Sequence, residues 1–191
     1  MARAMLITPV DTDNNLFQIE NSLPETLVEK ILATDWINLD YTGSPGQEHM
    51  KRRLIKNSSI PWIDDFHQAI CKHVWPVLVK ALPCEIDPYF NGVAFWLDEP
   101  GMTCDPHTDG ELPGSLQLFW VGEPTAGTTF YHYKNLTLVR KQFEFIPNNG
   151  YIMINQADND GYRQLQWHAM MQKVPENSYR LTSYIWLYPR K

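Results

Sequence analysis

Between residues 23 and 36 apolar side chains recur every three to four positions. Leu27, Val28, Ile31, Leu32 and Trp36 form one stripe behind Leu23-Pro24-Glu25, and Pro24 suits a first helical turn. A second helical stripe runs from about Pro61 to Leu82, carrying Trp62, Phe66, Ile70, Val74, Val77 and Leu78; Pro76 either kinks it or starts a second segment. After Pro83 the period drops to two. Strands are predicted at Tyr89–Leu97, Ser115–Val121, Thr128–Tyr133, Gln142–Ile146, Tyr151–Asn155, Gln166–Val174 and Arg180–Tyr188, with two more at Leu16–Glu20 and Lys51–Ile55. Turn signals separate them, among them Glu-Pro-Gly at 99–101 and Pro-Asn-Asn-Gly at 147–150. Helices first and many short strands afterwards predict a mainly β chain, a jelly roll with flanking N-terminal helices.

Composition narrows the class. The 191 residues, 43% hydrophobic and 20% charged, suffice for one buried core without disulfides. The expected organisation is a single domain over residues 1–191. Residues 1–82 would supply a strand and supporting helices, and residues 83–191 the jelly-roll core. No apolar run approaches the ~20 residues of a membrane span. Twenty-two acids against 16 bases leave a charge of −6, which argues against a nucleic-acid partner. Three cysteines (Cys71, Cys84 and Cys104) are too few and odd in number for a disulfide framework. The first residues contain no apolar stretch of signal-peptide length, so a soluble, cytoplasmic, reduced protein is expected. Aromatic residues reach 13%, and such side chains line small-molecule pockets as well as cores.

The chemistry concentrates after the Glu-Pro-Gly turn, in Asp105-Pro106-His107-Thr108-Asp109. Side chains two apart on an extended chain share a face, so His107 and Asp109 can offer an imidazole and a carboxylate to one metal ion. One His-x-Asp triplet is weak on its own. His168 follows in an apolar segment, and Arg180 opens the β-rich terminal strand. A hairpin turning near Val174-Pro175 would set His168 and Arg180 opposite each other on adjacent strands.

In this order and spacing the chain resembles the Fe(II)/2-oxoglutarate-dependent oxygenases. Their signature is His-x-Asp, a distal His and a basic residue about ten positions beyond it, here His107-Thr108-Asp109, His168 and Arg180. The strand and helix of Leu16–Trp36 resemble the prolyl hydroxylase branch, and Gly127-Thr-Thr-Phe-Tyr matches a Gly-led strand of the family. The resemblance implies a double-stranded β-helix, a cupin-like jelly roll. It implies Fe(II) held by His107, Asp109 and His168, with 2-oxoglutarate and O2 as cosubstrates. Arg180 would bind the distal carboxylate of 2-oxoglutarate through its planar fork, aided by the hydroxyl of Thr182. Many relatives place a Tyr before the metal motif; here Asn91 and Phe95 are the candidates, if alternation turns both inward. The implied reaction hydroxylates an organic substrate, either a peptidyl (prolyl-type) residue or a small molecule.

Blander readings compete at each position. A lone buried His is usually a hydrogen-bonded core residue. Lys173 rivals Arg180 as the cation. Cys104-x-x-His107 reads as a fragment of a zinc site, and His67 with Cys71 as a helical pair with no shared role. Lys51-Arg52-Arg53 with Lys56 is the one basic cluster, expected to be a solvated edge strand, with contact to an acidic or phosphorylated substrate as the lesser alternative. Trp96, Trp120 and Trp167 are the tryptophans nearest the candidate site. The rival class is a non-catalytic jelly-roll binding module. Loops at Gly110–Gly114, Gln156–Gln164 and Tyr41–Met50 are expected to set the substrate.

Overall fold

The computed structural model describes residues 4–13, 15–42, 51–82, 92–109, 114–132, 135–157 and 163–188. In chain order the strands are β1 (Leu6–Pro9), β2 (Leu16–Glu20), β3 (Tyr41–Thr42), β4 (Arg52–Ile55), β5 (Ala94–Asp98), β6 (Cys104–His107) and β7 (Gly114–Val121). Then follow β8 (Thr129–His132), β9 (Asn135–Gln142), β10 (Gly150–Ile154), β11 (Gln156–Ala157), β12 (Arg163–Gln164), β13 (His168–Met170) and β14 (Arg180–Trp186). The helices are α1 (Glu25–Ala33), α2 (Ile63–Ala69) and α3 (Trp75–Ala81).

The strands form two facing antiparallel sheets, the jelly-roll arrangement. The larger runs β1-β2-β10-β7-β14-β5-β4-β3, the smaller β6-β13-β8-β9, and β11 pairs with β12. Strands from residues 1–82 therefore lie in the same sheet as those of the later half.

The helices cover the outer face of the larger sheet. The second stripe is broken as Pro76 requires: α2 passes through a π-helical turn, Ile70–Val74, before α3 resumes with Pro76 in its first turn. Buried Phe66, Ile70, Val74 and Leu78 pack with Leu27, Ile31 and Trp36 against Phe95, Leu97, Leu118, Trp120 and Leu181 of the strands. A smaller apolar cluster of Phe119, Phe130, Phe143, Phe145, Tyr151 and Met153 lies between the sheets. No helix among the described residues is long and apolar enough to cross a membrane.

Three expectations change. The strand placed at Gln142–Ile146 lies earlier, at β9; Phe143 and Phe145 are buried, but their backbone amides bond to loop carbonyls of Thr128 and Pro124. This crossing also accounts for Gly127, where a Cβ would stand 1.7 Å from the Phe143 carbonyl oxygen. Second, His168 and Arg180 do not face each other across a hairpin. β13 sits between β6 and β8 in the smaller sheet, while β14 sits between β7 and β5 in the larger. The chain between them crosses from one sheet to the other. Third, the basic segment is not uniformly solvated: β3 pairs only with Leu54 and Ile55 of β4, and Lys51 is exposed, but Arg52 turns inward onto the buried Asp98.

Candidate metal and anion site between the two sheets

Register brings the metal-motif residues together. His168 pairs directly with His107 across β13 and β6, so their side chains are neighbours, with ring centroids 4.4 Å apart. Asp109 follows two residues beyond the end of β6, on the same side of the extended chain. Its Oδ1 lies 3.7 Å from His107 Nε2 and 3.6 Å from His168 Nε2. All three donor atoms lie within 4.8 Å of one another, grouped around one point and wider than the ~3 Å between neighbouring donors of an ion with bonds of about 2.1 Å, so an ion would draw them inward.

The surroundings set the donors' chemistry. His107 Nδ1 lies 2.8 Å from the Asp105 carbonyl, and His168 Nδ1 2.9 Å from the Gln166 carbonyl. A carbonyl accepts only from N–H, so each ring carries a proton on Nδ1, which leaves Nε2, facing Asp109, as the nitrogen available to a metal ion. Asp105 serves through its backbone and its side chain is exposed. Tyr184 donates its hydroxyl to Asp109 Oδ2 at 2.8 Å and orients that carboxylate. Burial, then Asp109, pushes the Tyr184 phenol up, so it stays a donor. Without a metal His107 is pushed up to about 9, first by the Cys104 sulfur 3.3 Å from its Nδ1, then by the Asp105 carbonyl and Asp109, against the opposing effect of burial. Burial lowers His168, with Asp109 opposing it.

The donors open onto a cavity of about 360 Å³, whose lining includes Trp96, Gln117, Thr128, Tyr151, Tyr184 and two arginines, Arg52 and Arg180. This volume falls at the small end of the range for ligand sites. The arginines stand on the larger sheet and the histidines on the smaller, so the sheet crossing between β13 and β14 sets His168 and Arg180 on opposite walls of one cavity.

Arg180 is buried and already engaged. Its Nε donates to Asp98 Oδ2 at 2.7 Å and its Nη1 to the Ala126 carbonyl at 3.1 Å. Thr182 shares the inward face of β14 with Arg180 and Tyr184; it is fully buried, and its hydroxyl has no partner among the described residues. It does not line the cavity. Phe95 faces the other way, stacked on Trp36 at 5.3 Å between centroids and edge-on to Phe66. Along β5 the even positions, Trp96 and Asp98, face the cavity, so counting from Phe95 selects the helix side. Asn91 lies outside the described residues, as do 43–50, 110–113 and 158–162 of the expected substrate loops. Lys173 is exposed and does not line the cavity. Trp120 is buried on the helix side, where its Nε1 donates to Ser183 Oγ at 3.0 Å.

Sequence reasoning missed three contributors, Asp98, Tyr184 and Trp186, and held Arg52 only as part of a basic cluster with an acidic substrate as the lesser alternative. The available signal was parity with Arg180 along β14, which places Tyr184 and Trp186 inward. Arg52 and Asp98 follow only from the strand order.

No protein-family model matches the chain, and no curated protein sequence matches it. Solved structures do. A viral collagen prolyl hydroxylase from Paramecium bursaria Chlorella virus-1, in complex with 2-oxoglutarate, is similar with a TM-score of 0.55 at 14% identity, over 91% of this chain and 95% of that one. An oxidoreductase of the 2OG-Fe(II) oxygenase family from Burkholderia pseudomallei gives 0.63 at 7% identity, over 91% and 84%. HygX from Streptomyces hygroscopicus, with nickel and 2-oxoglutarate bound, gives 0.59 at 10% identity, over 90% and 82%. At these identities the likeness is one of architecture, and on that ground the chain has the double-stranded β-helix fold of the Fe(II)/2-oxoglutarate oxygenases.

Proposed function

We propose that this chain is a non-haem Fe(II)- and 2-oxoglutarate-dependent dioxygenase that hydroxylates an organic substrate. One observation carries the reading: two Nε2 atoms and a carboxylate oxygen within 4.8 Å of one another, at the wall of a cavity whose opposite wall carries guanidinium groups. Two imidazoles and one carboxylate on one side of an ion are the donor set of non-haem Fe(II) oxygenases, leaving coordination positions open. In this reading His107, Asp109 and His168 hold the iron. The bound metal supplies O2 activation coupled to loss of CO2 from 2-oxoglutarate, giving succinate and a hydroxylated product.

The chain's own residues do the rest. The Asp105 and Gln166 carbonyls hold the imidazoles in the metal-binding tautomer, and Tyr184 fixes the Asp109 carboxylate. Arg180 is the proposed partner of the distal carboxylate of 2-oxoglutarate; a guanidinium stays charged when buried and binds a carboxylate through two N–H groups. Trp96, Trp186 and Tyr151 restrict water around the reacting centre.

The substrate is an organic molecule, peptidyl or small. Likeness to a viral collagen prolyl hydroxylase favours a prolyl-type peptide, and likeness to HygX, also solved with hygromycin B bound, a small molecule. We further propose that the chain works as one domain, since β2 and β4 share a sheet with β5 and β7. Free thiols at Cys71 and Cys104 support a reducing, cytoplasmic setting.

The test is turnover of the cosubstrate. Protein loaded with Fe(II) under air should convert 2-oxoglutarate to succinate and CO2, and a chelator should abolish this. Arg180→Ala should keep iron and weaken 2-oxoglutarate. A metal-free, fully stable protein with no such turnover would instead point to a binding module.

A further inference from the structure

We propose that Arg52 is a second residue that binds the cosubstrate: Arg52, Asp98 and Arg180 form a charge row whose one surplus positive charge receives the distal carboxylate of 2-oxoglutarate. The inference rests on the functional reading above and deepens it.

The row is built by register. Arg52 pairs with Asp98 across β4 and β5, and Asp98 with Arg180 across β5 and β14, so the three side chains lie in line on the cavity face. Asp98 is fully buried and both its oxygens are used. Oδ1 accepts from Arg52 Nε at 2.5 Å, while Oδ2 accepts from Arg52 Nη2 at 3.2 Å and from Arg180 Nε at 2.7 Å.

Charge balance then decides what the row can hold. Arg180 with Asp98 alone is a neutral pair, and a neutral pair gives a desolvated carboxylate little net attraction. A second guanidinium leaves the row with one positive charge. Arg52 Nη1 and Arg180 Nη2 have no partner among the described residues, so both ends of the row retain donors. The Arg52 guanidinium also lies 5.4 Å from the Trp96 ring centroid, a contact that holds it at the cavity wall. Across the whole cavity, Asp109 with a divalent ion leaves one positive charge and the row another. Together they complement a dianion.

The experiment is equilibrium binding to the Fe(II)-loaded protein without O2, using two probes. One is 2-oxoglutarate; the other is 2-oxopentanoate, a keto acid of equal chain length without the distal carboxylate. Arg52→Gln should weaken 2-oxoglutarate about tenfold or more, leave 2-oxopentanoate within about twofold, and leave Fe(II) affinity unchanged. Arg52→Met, which keeps an unbranched side chain without the charge, should do the same and serves if the Gln variant does not fold. The double variant Arg52→Gln/Asp98→Asn restores one net positive charge and should regain most of the 2-oxoglutarate affinity.

Equal 2-oxoglutarate affinity in wild type and both Arg52 variants overturns the inference alone. So does an equal loss for both keto acids, which marks a structural role, and so does a double variant weaker than the single one. A wild-type protein that binds iron but neither keto acid overturns the functional reading, and this inference with it.

Discussion

Phe95 and Trp96 are adjacent in one strand, yet they belong to two different environments. On the helix side of the larger sheet, Phe95 packs among Trp36, Trp62 and Phe66 with centroid distances of 5.1 to 5.9 Å. On the other side Trp96 shares the cavity with Arg52, Gln117, Arg180 and Tyr184. The outer face is apolar and closely packed, and its contribution is burial. The inner face carries a fully buried carboxylate between two guanidinium groups, phenols and an amide, groups that oppose folding unless each finds a partner. One face stabilises the sheet, and the rigidity so gained holds the polar groups of the other in place.

Substitutions on the two faces should separate these roles. The largest effect is expected at the metal donors. Asp109→Ala removes the one anionic donor and should abolish Fe(II) binding and turnover, while the melting transition of the metal-free protein stays close to wild type. A large loss of stability would mean that Asp109 supports the fold.

Phe95→Ala should have the opposite profile. Removing a fully buried ring costs about 3–5 kcal/mol, measured by denaturant unfolding. Protein that remains folded should bind iron with unchanged affinity. A loss of affinity with little loss of stability would place Phe95 in the site after all.

Asp98 tests the inner face through pH. Burial pushes its carboxyl up, but Arg180 and Arg52 together outweigh burial and hold it below the ordinary carboxylate value. A carboxyl lowered in the folded state contributes stability above its unfolded value of about 3.9, and that contribution is lost as pH falls toward the lower folded value. Asp98→Asn should therefore be destabilised at neutral pH, where two guanidinium groups lose their buried counter-charge. Its deficit against wild type should shrink as pH falls below about 4. A pH-independent deficit would mean that the loss is one of shape and not of charge.

The smallest effect belongs to Tyr184→Phe. It removes one hydrogen bond to Asp109 and should weaken Fe(II) binding about tenfold with little change in melting temperature. Unchanged affinity would show that Asp109 is held by its own backbone.

Much of this contrast is legible in the sequence, and its limits are physical. Period-two alternation and short apolar runs between turn signals located β2, β4, β5, β7, β10 and β14, and β7 and β10 are buried on both faces. Alternation does not say which face is which, so Phe95 and Trp96 could be exchanged. The His-x-Asp triplet and the order of a distal His after it found His107, Asp109 and His168, a pattern that is read without knowing the strand arrangement. Pairing partners are non-local, and there the reading failed. A hairpin between His168 and Arg180 is the shortest connection, but the chain changes sheets, and Arg180 pairs instead with Asp98, 82 positions earlier. Arg52 reads first as a surface charge because nothing local reveals that Asp98 lies beside it on β5.

The central claim is that the two walls of one cavity hold iron and 2-oxoglutarate together. It is tested most directly by titrating the protein with Fe(II) and then 2-oxoglutarate in the absence of O2, following the visible spectrum. A weak charge-transfer band, saturating at one 2-oxoglutarate per iron and absent in Asp109→Ala, is the expected result. Iron bound with no band and no 2-oxoglutarate binding would contradict it.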